Sequence, residues 1–441
     1  MSRGSSHSPE VRNAMRAAIL GQCTGLIPLQ VLYAGGMAVV MVLSLGGTHV
    51  EAMVAQSTVH VGYLASVWAS LKPMPHDRVL YMMRCSQIGA VGLVLAAAVA
   101  YWAPAAWLIP GLLLSLFFYR WAAGAASAFW YPVLQDFVNK GERGRFFATM
   151  RATWSVVTML AGLGLGSLLA TMAPAGSDLP VQRQAYAIIL FLMGLSFVAR
   201  NLFFRHLPHT ERPDMENPLA GGWKALARGL RGEGEFWGFL AYLGPQTFFL
   251  ALFAPLVVTA LRDVAGYSDG ETVQAGMIGT LGSIAAYVAC MGLADRVGPK
   301  RMFLACQTAC SLASLLMAAC LGGHLPLDMG VLVTALNVVL CAAGAALGVA
   351  TTTYLLHVVQ GPGRNICFSL YFALSSFVSG TAVVAMGFVM DYGPRFLDCS
   401  RDGLVTGLFA LAGVGLLVNL PSVKRLREGD WPAEHPPRSP G

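Results

Sequence analysis

"LLLSLFFYRWAAGAASAFW", residues 112–130, places one full positive charge, Arg120, in the middle of an otherwise apolar run. In a soluble core one carboxylate neighbour would settle such a charge, whereas in a lipid bilayer a charge at that depth is costly and marks function. The solvent around this run therefore decides both the fold and the meaning of Arg120. The chain is 56% hydrophobic and 12% charged, with a mean hydropathy of +0.61, against roughly 25% charge in soluble domains. A helix rising about 1.5 Å per residue needs about 20 apolar residues to cross about 30 Å of hydrocarbon. The sequence supplies such runs repeatedly, and the expectation is an all-α membrane protein of twelve spans. They fall near 17–45, 49–70, 80–103, 107–136, 149–173, 185–204, 236–260, 271–293, 302–321, 328–357, 366–390 and 403–421.

The formal net charge of +7 comes from 29 Lys and Arg against 22 Asp and Glu, and it is one-sided. The side of the tails and even-numbered loops holds 24 of the 29. The odd-numbered loops hold Arg183, Arg262, Arg395 and Arg401, and Arg120 is the remainder. This is the positive-inside pattern, with both termini cytoplasmic in a plasma (inner) membrane. Short basic loops do not make the continuous face that nucleic acid requires, so no nucleic-acid partner is expected. The cysteines fall almost all inside spans, Cys306 and Cys310 one turn apart, as small packing residues. His206 and His209 sit in a charged loop with no further Cys or His close by, which argues against a metal site. The first apolar stretch is too long for a signal-peptide core and reads as a retained helix.

The chain divides in the middle. Residues 205–235 form the longest charged stretch, and "WKALARGL" within it has the pattern of a short amphipathic helix. The domain expectation is an N-terminal six-helix bundle at 1–207, a linker at 208–235, and a C-terminal six-helix bundle and tail at 236–441. The halves echo each other: Asp77 to Val79 recurs at Asp295 to Val297, and Gly144–Arg145 at Gly363–Arg364, each pair in the same slot of its half. Internal duplication of this kind builds many secondary transporters.

"GLADRVGPKR", Gly292 to Arg301, resembles the loop signature of the major facilitator superfamily. Leu116, Arg120 and Gly124 on the fourth span resemble a motif of its proton-coupled members, and "DFVNKGERGR", Asp136 to Arg145, is similar to its loop between the fourth and fifth spans. The resemblance implies two pseudo-symmetric six-helix bundles, with the first, fourth, seventh and tenth spans lining a central cavity. The signature also makes physical sense as a conformational latch built from Gly292, Asp295, Arg296, Gly298, Lys300 and Arg301, with Asp136 and Arg145. Asp295 at a helix end can accept from the open N-terminus of a neighbouring helix while the basic residues hold the loop on its own side. In the first half the signature is eroded: Met74, Leu80, Met82 and Met83 replace its glycines and basic residues, and only Asp77 and Arg78 survive. The fifth span lacks the Gly-Pro pair of the family's drug antiporters, which lowers an exporter reading.

Helical spacing supplies cavity candidates. Arg120, Gly124, Ser127, Tyr131 and Gln135 form one polar stripe at 100° per residue on the fourth span. Gln22, Gln30 and Tyr33 cluster on the first span, Tyr242, Gln246 and Phe249 on the seventh, and Asn337 with small residues on the tenth. Gln30, Tyr33, Arg120, Tyr131, Tyr242, Gln246 and Asn337 are the cavity set, while small residues at such spacing serve helix packing equally well. Arg120, His60 and Glu51 are the proton-coupling candidates. Arg120 meets no carboxylate at its depth in the sequence pattern, which leaves backbone carbonyls, Gln22, Gln30, water or an anionic substrate group. Its role is cavity electrostatics with coupling, substrate anchoring or a bridge between helices. No HExxH, GxSxG or nucleotide-binding glycine loop occurs, so neither an enzyme nor a cofactor is expected. The functional expectation is a monomeric secondary transporter in the lipid bilayer, moving a small organic solute, a sugar or an amphiphilic metabolite, with protons as a coupling partner. An efflux permease and a non-transporting membrane sensor are the alternatives.

Overall fold

The computed structural model describes residues 8–70, 72, 75–138, 143–209, 234–324, 328–358 and 364–426. The side chains of 131, 135, 143–145, 148, 291–296, 356–358 and 364–369 lie outside that description. The described residues are almost entirely helical and form twelve spans in two bundles of six. The first span runs through Pro9–Gly25, Ile27–Leu29, a π turn at Gln30–Ala34 and Met37–Ser44. The second is His49–Ser70, the third Arg78–Trp102, and the fourth Ala105–Ser127 with Trp130–Phe137. The fifth is Arg143–Met172 and the sixth Leu179–Phe204. The seventh joins Gly234–Ala251, Phe253–Thr259 and a π turn at Ala260–Val264, and the eighth joins Asp269–Ile278 and Thr280–Val297. The ninth is Pro299–Leu321, the tenth Met329–Val358, the eleventh Arg364–Leu397 and the twelfth Arg401–Lys424.

Eleven of these are long and apolar enough to cross a membrane by length and composition. The second span, at 22 residues, is long enough but carries His49, Glu51, Gln56 and His60. Such a helix needs protein neighbours more than lipid, and it packs between the fourth span and the eleventh.

The duplication is legible in the packing. The third span packs on the fourth and sixth, the second on the fourth, and the first on the sixth. Likewise the ninth packs on the tenth and twelfth, the eighth on the tenth, and the seventh on the twelfth. A Cβ on Gly124 would overlap the Gly62 carbonyl, and one on Gly282 would overlap that of Val338, so both pairs of spans touch backbone to backbone. Thr48 and Glu51 form a reciprocal capping box at the head of the second span, amide to carboxylate 2.8 Å and amide to hydroxyl 3.2 Å. Ser268 and Glu271 repeat it at the head of the eighth, at 2.8 Å and 3.4 Å.

Two seams join the bundles, second span to eleventh and fifth to eighth. Gly387 lies on the backbone of His49 and Val50 in one, and Gly270 on Gly166 in the other. Both approaches, and most polar contacts between the halves, lie at the face opposite the chain ends, here the far face.

Several elements differ from the sequence expectation. The first, fourth, seventh and eighth spans are broken rather than continuous, and the eleventh runs to Leu397, seven residues past its expected end. The fourth span is interrupted after Ser127, so constant rotation carries its polar stripe only as far as that residue. Asp77 and Asp295 do not share a slot. Asp77 precedes a helix and accepts the Leu80 amide at 2.9 Å, whereas Asp295 falls in the last turn of Thr280–Val297. The prolines at 73 and 75 stop the second span early, and the eighth meets none before Pro299.

Candidate functional site

Arg120 is buried, with 6% of its surface exposed. Its Nη2 donates to the Val59 carbonyl at 3.2 Å, and its guanidinium lies against Gly62, where any side chain would collide with it. The rings of Tyr33 and Tyr119 stand 5.7 Å from its central carbon. Cation–π contacts of this kind contribute about 0.5–2 kcal/mol as desolvation increases. Among the described residues its Nε has no hydrogen-bond partner, and no carboxylate pairs with it. A permanent cation is thus held by a carbonyl and two rings, which is less than a guanidinium's five donors can use.

The second span supplies the rest of this cluster. Thr58 shares a 2.7 Å hydrogen bond with the Tyr33 hydroxyl, and Gln56 donates to the Tyr33 carbonyl at 3.0 Å, leaving its Oε1 without a partner. His60, one turn on, is half-buried and faces Gly380 of the eleventh span, and Tyr63 stacks on Phe372 of that span at 5.9 Å. Tyr33, Arg120 and His60 therefore gather where the first, second and fourth spans meet the seam. Gln30 is half-buried in the π turn of the first span. Ser127 turns its hydroxyl back to the Gly124 carbonyl at 2.7 Å. Glu51 is occupied in its capping box at the far end of the second span.

The second-half candidates belong to the other bundle. Tyr242 is buried, donates to Gln307 at 3.0 Å and accepts from Asn419 through its carbonyl at 3.1 Å, inside an aromatic cluster with Phe239, Phe303 and Tyr354. Its contacts are within the second bundle. Gln246 is buried, and among the described residues its Nε2 has no partner. Asn337 packs on Gly279, at the break in the eighth span, and accepts from the Cys341 thiol at 3.6 Å. The side chain of Tyr131 lies outside the described residues.

At the face carrying the chain ends, Asp136 pairs with Arg78 at 3.6 Å, both nearly buried. The surviving arginine of the eroded signature thus holds the end of the fourth span within the first bundle. Burial pushes the Asp77 carboxyl up, but the Leu80 amide and His209, 2.7 Å away, outweigh it and hold it below its ordinary value. Lys300 donates to the carbonyls of Lys424 at 3.0 Å and Leu426 at 2.9 Å, closing the end of the twelfth span. Gly298 breaks the chain between the eighth and ninth spans with φ 82°, and Arg301 is exposed. The side chains of Asp295, Arg296 and Arg145, and the surroundings of Gly292, lie outside the described residues.

Sequence reading passed over two groups. Arg200 is buried one turn from the end of the sixth span, over the Phe204 ring at 4.3 Å and near Trp130 and Phe197 at 5.9 Å. Basic residues are common near span ends, so nothing in its position signalled burial. The other group is a polar network across the far face. His49 reaches Asp391 through Nδ1 and Asp263 through Nε2, both at 3.1 Å. Arg262 holds Asp263 at 3.0 Å and Asp269 at 3.2 Å, and Asp269 also accepts from Tyr186 at 2.7 Å and from Ser44. These residues fall at span edges and carry no motif, so only their meeting reveals them.

Several solved transporters share this fold. A variant of the nucleoside transporter NupG is 13% identical with a TM-score of 0.65, covering 94% of this chain and 99% of its own. The xylose transporter XylE from E. coli, in a partially occluded inward open conformation, is 12% identical with a TM-score of 0.66, covering 96% and 99%. A POT family transporter in complex with 5-aminolevulinic acid is 12% identical with a TM-score of 0.67, covering 96% and 98%. No curated protein sequence matches the chain. The Major Facilitator Superfamily model matches residues 82–318, more than half of the chain. With twelve spans, a duplicated bundle and that match, the chain belongs to the major facilitator superfamily and is a transporter rather than an enzyme.

Proposed function

We propose that this protein moves a small organic solute, a sugar or an amphiphilic metabolite, across the plasma membrane by alternating access, as a monomer with both termini in the cytoplasm. The observation that carries the reading is the far-face closure lying above the Tyr33–Arg120–His60 cluster. Polar contacts seal one end of the seam, and a desolvated cation with an unused donor waits beneath it. A state sealed at one face and holding an unsatisfied polar site is what alternating access requires. With the basic loops inside, the sealed face is the outer one.

Arg120 is the positive group of the site, with Gln30, Gln246 and Asn337 as further polar contributors and His60 and Glu51 as titratable neighbours along the second span. Proton symport accords with this arrangement, and the solutes named for the similar structures, nucleosides, xylose and 5-aminolevulinic acid, are small and polar. The signature loop around Asp295, with Asp136 and Arg145, latches the cytoplasmic ends when the protein opens outward. The test is counterflow in proteoliposomes across a panel of sugars, nucleosides and amino-acid-like solutes, with and without an imposed pH gradient. Robust exchange of one class establishes transport and its substrate, and accumulation driven by the gradient establishes coupling. Absence of exchange for every solute, in protein that folds and inserts, favours a membrane sensor.

A further inference from the structure

The far-face network poses a problem of proton count. Both ring nitrogens of His49 stand 3.1 Å from a carboxylate oxygen, Nδ1 from Asp391 and Nε2 from Asp263. A neutral imidazole has one N–H and one lone pair, so it can donate to only one of them. The second contact would set a lone pair against a carboxylate. Both hydrogen bonds form only if the triad holds one more proton, as imidazolium or on one carboxyl group. The surroundings agree. Asp391 also accepts the backbone amides of His49 at 3.1 Å and Val50 at 2.9 Å, and so caps the second span from the opposite bundle. Asp263 is shared with Arg262 at 3.0 Å.

We propose that His49, Asp263 and Asp391 form a proton-binding site that clasps the two bundles at the far face. Among the described residues the charged groups around it are few. The seventh span contributes Asp263 and Arg262, the eleventh contributes Asp391 with Arg395 exposed one turn beyond, and the eighth contributes Asp269, which Arg262 and Tyr186 hold. Glu51, on the same helix as His49, is occupied by Thr48. The neighbouring helix Met37–Ser44 of the first span has no ionisable side chain, and those of the fourth span begin only at Tyr119 and Arg120, far deeper. With the extra proton, His49 and Arg262 face three aspartates, and without it one cation faces three anions. The sealed state needs this proton and the parted state does not, so acid favours sealing and rising pH favours parting. Substrate-independent gating by protons is then built into the seam.

The site deepens the transporter reading and rests on it, but its test needs no substrate. Spin labels at Ala175 in the first bundle and Asp402 in the second, in a cysteine-replaced full-length protein in lipid nanodiscs, report the far-face distance. The distance distribution is expected to be short at about pH 5.5 and to gain a longer population at about pH 8.5, on either side of the ordinary histidine range. His49→Gln should abolish that dependence. Asp263→Asn is the sharper variant, because its amide can donate to the His49 Nε2 lone pair while its carbonyl oxygen still accepts from Arg262. Every hydrogen bond is then made without the extra proton, and the face should stay sealed at both pH values. A wild-type distribution that ignores pH, or a dependence that persists in Asp263→Asn, overturns the proposal even where solute flux is robust. Conversely, pH-driven opening without any flux supports the clasp and sinks the transport reading.

Discussion

The two bundles place the same backbone contact at equivalent points and fill it with opposite chemistry. In the first, Gly62 of the second span lies on the fourth at Arg120 and Gly124; in the second, Gly282 of the eighth span lies on the tenth at Val338 and Ala342. Gly62 and Gly282 are 220 residues apart, and Arg120 and Val338 are 218 apart. A buried guanidinium in one half thus corresponds to a half-buried valine in the other. At the far face the capping boxes repeat at an offset of 220, yet the residue after Thr48 is His49 and the residue after Ser268 is Asp269. Duplication preserved the contacts that hold spans together. The polar chemistry sits on top of that frame and is asymmetric.

The comparison can be broken most directly by making the halves alike. Val338→Arg places a charge near mid-membrane where Phe253 stands in place of Tyr33 and no second ring replaces Tyr119, Asn337 being there instead. The expected cost is about 2.5–3.5 kcal/mol, read as a large loss of inserted protein and of melting temperature in detergent. Normal yield and melting would mean that the ring and carbonyl environment of Arg120 is not what makes a charge tolerable.

Next in size are the glycines. Gly124→Ala and Gly282→Ala each force a Cβ onto a carbonyl of the neighbouring span, and overpacking of this kind costs about 1–3 kcal/mol. Equal drops in melting temperature show that the second–fourth and eighth–tenth contacts are equally tight; a drop in one variant alone shows that they are not.

Arg120→Gln tests function rather than folding. It should insert normally yet lose uptake by about tenfold or more, corresponding to about 1.4 kcal/mol in the rate-limiting barrier. Arg120→Lys should retain part of the activity, because it keeps the charge and loses the planar fork. Counterflow that survives in the glutamine variant while accumulation fails assigns Arg120 to coupling, and loss of binding assigns it to the solute.

The smallest effects are expected from the caps. Thr48→Ala and Ser268→Ala should each destabilise by about 1 kcal/mol, measured as matching small shifts in thermal unfolding. A much larger effect of Thr48→Ala would show that the head of the second span bears on the clasp at His49 and not only on its own helix.

The number and rough position of the spans were legible in the sequence, because twenty apolar residues in a row have few other uses, and the duplication was legible in outline, although Asp77 and Asp295 fall in different slots. The anomaly of Arg120 was legible for the same reason: a charge stands out in an apolar run. The breaks at Gln30–Ala34, after Ser127 and at Gly279 were not, since a π turn or an interrupted helix alters hydrogen bonding without altering the apolar pattern. Tyr242 had the helical spacing of a cavity residue, but spacing cannot tell a face turned to a cavity from one turned to Gln307.

What the sequence determined by itself was the solvent, the span count and the repeat, all properties of composition and period that act locally along the chain. Tertiary structure alone decided who receives the charges. The acceptor of Arg120 is a backbone carbonyl, and every residue has one. His49 meets Asp263 and Asp391 across separations of 214 and 342 residues, and only the packing of one bundle against the other brings them within a hydrogen bond.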